Sequence, residues 1–140
     1  MGKIVQYSKL SGQNIQGLMR PLIFCNSTYC NQTNMFDINR VLAEKIMKIK
    51  PERRSIRLEM CFNQILSGLP DDVIVKNFDV MFNPNYKVDV LQILIAANRK
   101  KSFSVLWPGK LSAGKLIYAE DGYADYKEFD VNNYDITCVI

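Results

Sequence analysis

The sequence predicts an α/β domain of three layers, with a short, mainly parallel sheet carrying helices on its faces. Three observations carry this. Short β-branched runs alternate with segments of helical periodicity, the pattern of strands joined by helical crossovers. Val73-Ile74-Val75 is continuous and apolar, as in strands buried on both faces. At 140 residues, with 48% hydrophobic and 23% charged residues, the chain suits one domain with a true core and is too apolar for disorder.

Residues 1–20 are polar, with Leu10, Ile15, Leu18 and Met19 spaced for a short N-terminal helical arm that Gly12 and Gly17 weaken. Pro21 opens the α/β core, residues 21–118, and Leu22 to Asn26 reads as its first strand. Met35-Phe36-Asp37 reads as a second strand, or Asp37 caps the next helix. In that helix Ile38, Val41, Leu42, Ile46 and Ile49 recur at helical spacing, and Pro51 ends it. A second helix spans 55–67, with Ile56, Met60, Ile65 and Leu66 as its apolar positions and Gly68 as its stop. Asp89 caps a third, carrying Val90, Leu91, Leu94 and Ile95 and closed by Arg99-Lys100-Lys101 at the negative end of its dipole. Phe103 to Trp107, Leu116 to Tyr118 and Thr137 to Ile140 are the later strands.

Charge is unevenly spread. Residues 1–118 hold 17 Lys and Arg against 8 Asp and Glu, a balance of +9, whereas the acidic segment 119–140 balances at −5. Such a body suits an anionic partner, or else the acidic segment covers part of its own domain's basic surface. The chain has no His, which removes the usual general base and the commonest metal ligand. Cys25, Cys30, Cys61 and Cys138 have no zinc spacing, and the expectation is no cofactor, no metal and a reducing cytoplasm.

A P-loop places G-x-x-x-x-G-K-[ST] directly after a buried strand, so that backbone N–H groups and a lysine close around phosphate. Asn26 to Thr33, N-S-T-Y-C-N-Q-T, occupies that place. Asn26 and Asn31 stand for the glycines, Gln32 for the lysine, and Thr33 alone fits. The expectation is a P-loop-NTPase-like scaffold whose phosphate loop is degenerate or deleted.

Further motifs lie in Ile38 to Tyr126: K-P-E-R-R (Lys50 to Arg54), N-F-D-V-M-F-N-P (Asn77 to Pro84), A-N-R-K before a strand ending W-P-G (Trp107 to Gly109), and G-K-L-I-Y-A-E-D-G-Y-A-D-Y (Gly114 to Tyr126). This stretch, about two-thirds of the chain, resembles BrxF, the small P-loop component of type 3 BREX phage-defence systems. Members of that family carry a Gly-rich GKT loop and then a helix, for which residues 26–34 leave no room. Where the family pattern puts an acidic Mg²⁺ position after the Val73–Val75 strand, this chain has Lys76; Asp79 matches a second acidic position.

The resemblance implies a non-catalytic accessory component of a BREX-type anti-phage system, acting through protein–protein and DNA binding. Its implied partners are the large ATPase, the methyltransferase and the PglZ-like phosphatase of such a system, with DNA and a second copy beside them and no membrane. Two alternatives stand. One is a divergent ATPase or GTPase in which Asp79 and Thr33 act and a partner completes the site. The other is a free-standing nucleic-acid-binding domain. The contact candidates are the basic run Lys45, Lys48, Lys50, Arg53, Arg54 and Arg57, which is either a phosphate-binding face or a solvated helix face. Trp107 and Tyr118 join them, as base-stacking rings or as core.

Overall fold

The computed structural model describes residues 1–10, 15, 17–30 and 34–140. Nine strands are described: β1 (Lys3–Val5), β2 (Leu22–Phe24), β3 (Met35–Asp37), β4 (Val73–Lys76), β5 (Phe103–Leu106), β6 (Lys110–Ser112), β7 (Lys115–Tyr118), β8 (Lys127–Asp130) and β9 (Thr137–Val139). Three helices join them among the described residues: α1 (Asn39–Met47), α2 (Arg54–Ser67) and α3 (Val90–Asn98). The expected α/β class with a parallel sheet is what the chain forms. Six strands make one sheet in the order β1-β9-β2-β5-β4-β3, every neighbouring pair parallel. β6, β7 and β8 form a separate antiparallel sheet.

Local chemistry sets each helix. Asp37 serves in both roles expected of it: it ends β3, and its carboxylate accepts from Asn39 N at 3.0 Å at the head of α1. In α1 the buried positions are Leu42 and Ile46, one turn apart. Asp89 accepts from Gln92 N at 3.2 Å and caps α3, whose side chains are buried almost all round. Gly68 ends α2 with ordinary right-handed angles (φ −92°), so its place there does not rest on a left-handed turn. Ala113 and Gly114, both at positive φ (52° and 77°), form the two-residue hairpin turn between β6 and β7, where the strand twist requires such angles.

The helices share one face of the sheet. The crossovers β3 to β4 and β4 to β5 step in the same direction, and right-handed crossovers then lie on the same side. Burial agrees. Ile23, Val75, Val105 and Cys138, which the strand register places on one face, cluster with Leu42, Phe62 and Leu94 of the three helices. A fully buried leucine such as Leu42 or Leu94 contributes roughly 1.5–3 kcal/mol through removal from water. On the opposite face, Thr137 donates to Met19 O at 2.7 Å. Among the described residues no helix of a full turn or more covers that face, so the expected second helical layer is not part of what is described.

Two expectations change at the ends of the chain. Residues 3–5 are the edge strand β1, and Tyr7–Lys9 is a single 3₁₀ turn, so the first ten residues are not a helical arm. Residues 11–14 and 16 of that arm lie outside the described residues. The acidic segment 119–140 supplies β8 and the inner strand β9, which sits between β1 and β2.

Candidate functional site

Parallel strands end on one side of a sheet, and open α/β sheets take ligands beyond those carboxyl ends, at the strand where connections leave in opposite directions. Here that strand is β2, with β5 on one side and β9 on the other. It leads into a 3₁₀ turn over Ser27–Tyr29, capped by Asn26, whose side-chain oxygen accepts from Thr28 N at 2.9 Å. Cys30 Sγ donates back to Asn26 O at 3.9 Å. Asn26 is therefore spent closing its own turn. Asn31, Gln32 and Thr33 lie outside the described residues.

Asp79 also has a partner within the fold. It accepts from Tyr118 Oη at 2.9 Å. Burial, then this bond to a carboxylate, pushes the Tyr118 phenol far above its ordinary range. Lys76 lies near Asp37 and helps hold that carboxyl below its usual range after Asn77 and the Asn39 amide, which hydrogen-bond it.

Trp107 and Tyr118 belong to an aromatic seam that joins the antiparallel sheet to the parallel one. Tyr118 stacks on Phe82 with ring centres 3.9 Å apart; Trp107 meets Phe78, Phe82 and Phe129 edge to face. Trp107 Nε1 donates to Ile117 O at 2.9 Å. Gly109 permits this approach, since a Cβ there would lie 1.9 Å from Ile117 O. The W-P-G and L-I-Y motifs are thus packing devices. Trp107 (3% exposed) and Tyr118 (8%) offer no ring face to a partner, which corrects their expected role as contacts.

The basic run has the opposite character. It occupies the end of α1, the 3₁₀ turn Pro51–Arg53 and the start of α2. Lys48, Lys50, Arg53 and Arg57 are exposed, and Lys45 and Arg54 half-buried. Arg54 is structural: its Nε donates to Ile49 O at 2.9 Å and ties the turn to α1. Lys45 and Arg57 lie on facing helices, both close enough to oppose the rise that burial gives the Cys61 thiol. Among the described residues none of the six forms an ion pair with a carboxylate. Lys101, by contrast, pairs with Asp71 at 3.3 Å and donates to Leu69 O, so the Arg99–Lys101 run is partly committed to the fold.

Beside these cations stand apolar residues that periodicity assigned to the core. Ile56 is 80% exposed, Val41 43% and Met60 39%, and Met47, outside that pattern, 65%; the buried face of α2 is Leu58, Cys61, Phe62 and Leu66. The correction is one of phase. Ile56 and Met60 lie four apart on one stripe, Leu58, Cys61, Phe62 and Leu66 on another, and the second packs against α1 and the sheet. Ile56 and Glu59 line an open groove of about 450 Å³ between α2 and the start of α3, and a second of about 510 Å³ toward Lys100.

Cys25 Sγ donates to Ile23 O at 3.8 Å, and the neighbouring Cys138 thiol holds the Cys25 thiol below its ordinary range while its own is raised by Cys25 and by burial. Among the described residues no group of three or more Cys, Asp or Glu is placed to hold a metal ion. No helix among them is long and apolar enough to cross a membrane. Compared with known proteins, the chain matches no family model, no curated protein and no solved structure.

Proposed function

We propose that this chain is a binding component built on a P-loop-like sheet, working through the exposed hairpin of α1 and α2 and not through nucleotide turnover. The observation that carries the reading is the contrast between two sets of polar residues. Asn26 and Asp79, at the carboxyl edge, are satisfied by neighbours. Among the described residues Lys45, Lys48, Lys50, Arg53, Arg54 and Arg57 form no ion pair with a carboxylate, and exposed Met47 and Ile56 adjoin Lys48 and Arg57 in the chain. Asn26 and Asp79 are exposed but bonded within the fold, whereas unpaired charge beside exposed apolar surface marks a contact.

The P-loop-like reading draws support from strand order. Leaving β1 aside, the first strand β2 is flanked by the fourth and fifth, β5 and β9, with β4 and β3 beyond. That order makes the chain's first core strand a central one, with its following loop at the switch point where open α/β sheets take ligands. The loop chemistry departs: no Gly or Lys lies between Asn26 and Asn34, so neither a glycine cradle nor a cation is there for a β- or γ-phosphate. Fold alone does not carry function, and the proposed place in a BREX-type defence system rests on the family resemblance of Ile38 to Tyr126. Its partners would be the large ATPase, the methyltransferase and the PglZ-like phosphatase, with DNA a further candidate at the same basic surface.

The test is co-purification of the tagged chain with those three proteins, with and without Lys48→Glu/Arg53→Glu. Recovery of at least one, lost in the variant, is the expected result. Recovery of none, or recovery unchanged by the variant, contradicts the reading.

A further inference from the structure

The acidic segment does not cover the basic hairpin within one molecule. Glu128 pairs with Lys115 at 3.5 Å, and Asp135 with the amino terminus at 2.7 Å. Asp130 accepts from Asn132 N at the head of a 3₁₀ turn. None of the carboxylates of residues 119–140 forms an ion pair with a cation of residues 45–57 among the described residues.

That leaves two surfaces of opposite net sign. The loop 119–126 between β7 and β8 carries Glu120, Asp121 and Asp125 and no Lys or Arg. None of the three forms an ion pair among the described residues. Two turns, Tyr123 N to Glu120 O and Tyr126 N to Tyr123 O, shape the loop and leave Tyr123 65% exposed between its acids. The hairpin presents Lys48, Arg53 and Arg57 as exposed cations, with exposed Met47 next to Lys48 in the chain and exposed Ile56 next to Arg57. Each surface pairs an exposed apolar side chain with charge mostly of one sign, Glu52 and Glu59 standing among the cations of the hairpin, and the prevailing charges of one are the counterions of the other.

We infer that the α1–α2 hairpin takes the 119–126 loop of a second copy, so that the chain assembles head to tail. Tyr123 seats against Met47 and Ile56, and Glu120, Asp121 and Asp125 face Lys48, Arg53 and Arg57. The two patches differ, so the contact is heterologous: it closes into a ring if the rotation allows and otherwise leaves a free hairpin at one end of a row. That free hairpin is where a different protein would dock, which joins this inference to the proposed function without depending on it. Exposed ion pairs are screened as the Debye length falls from ~10 Å at 0.1 M salt to ~3 Å at 1 M, so assembly weakens with salt.

Sedimentation velocity on nuclease-treated, full-length protein tests this. The expected result is concentration-dependent association at low salt that fades at high salt. Lys48→Glu/Arg53→Glu and Glu120→Lys/Asp121→Lys should each be monomeric alone and should associate when mixed, because each variant then meets its opposite charge. Circular dichroism of both variants confirms that they fold. A wild-type monomer at all concentrations overturns the inference while leaving the co-purification result untouched. Association that disappears on nuclease treatment, or that survives in either variant alone, overturns it as well.

Discussion

The aromatic seam and the basic hairpin both stand out in the sequence, and the fold sends them to opposite environments. Trp107, Tyr118 and their neighbours Phe78, Phe82 and Phe129 are buried where the antiparallel sheet meets the helical face of the parallel one. Lys48, Lys50, Arg53 and Arg57 stand in solvent with Met47 and Ile56. Aromatic rings gain most by leaving water, so a cluster of them joined to strands becomes core before it becomes a binding surface. Cations gain nothing by burial, so apolar residues left among them are the more informative exposure.

Substitutions in the two regions should therefore separate stability from binding. The largest effect on the fold is expected from Trp107→Ala, which removes three ring contacts and the bond to Ile117 O. Denaturant unfolding should show a loss of about 3–5 kcal/mol. Gly109→Ala forces a Cβ against Ile117 O and should cost about 1–3 kcal/mol in the same assay. An unchanged midpoint for either would mean that the seam does not join the two sheets.

Alkaline titration sharpens the comparison, because its groups belong to the seam. Tyr118 is raised by burial and Asp79; Tyr134 is pushed up to about 12 by burial and its bond to Asp89. A phenol that keeps its proton longer when folded stabilises the fold fully below its unfolded value, near 10. That contribution is lost as pH rises from about 10 toward 12, where the unfolded chain ionises first. The unfolding midpoint should fall over that window and fall less steeply in Tyr118→Phe and Tyr134→Phe. Equal slopes would contradict the buried phenols.

Smaller still is Ala113→Asn. Ala113 is held at φ 52° in a turn that favours Asn-Gly, so Asn should raise stability by about 0.5–1 kcal/mol. The smallest effect on the fold belongs to the hairpin: Lys48→Glu/Arg53→Glu should leave unfolding within about 0.5 kcal/mol of wild type. A large destabilisation there would show that these cations hold the fold and are not a contact surface.

How much the sequence disclosed depends on the element. β4 was legible from the apolar run Val73-Ile74-Val75, β5 from Phe103, Val105 and Leu106 about a single Ser104, and α3 because Asp89 caps a helix buried nearly all round. β1, β6 and β8 were not. Each is three or four residues with at most one buried position, too few for a period to register. In α2 the period was legible and the phase was not: Ile56 and Met60 look like core until Leu58 and Phe62 are seen to face it. Of the candidate site, the basic run could be read directly, since charge stays at the surface. The bond between Asp79 and Tyr118 joins residues 39 positions apart and has no local signal.

The central proposal is that the loop after β2, which opens with the turn Asn26 to Cys30, does not serve as a phosphate site. Thermal unfolding with and without Mg·ATP tests it most directly. A ligand at about 100 times its dissociation constant stabilises a fold by ~2.7 kcal/mol, well within reach of a melt. The account predicts superimposable curves. A clear upward shift that Asp79→Ala abolishes would contradict it and restore the edge as a nucleotide site.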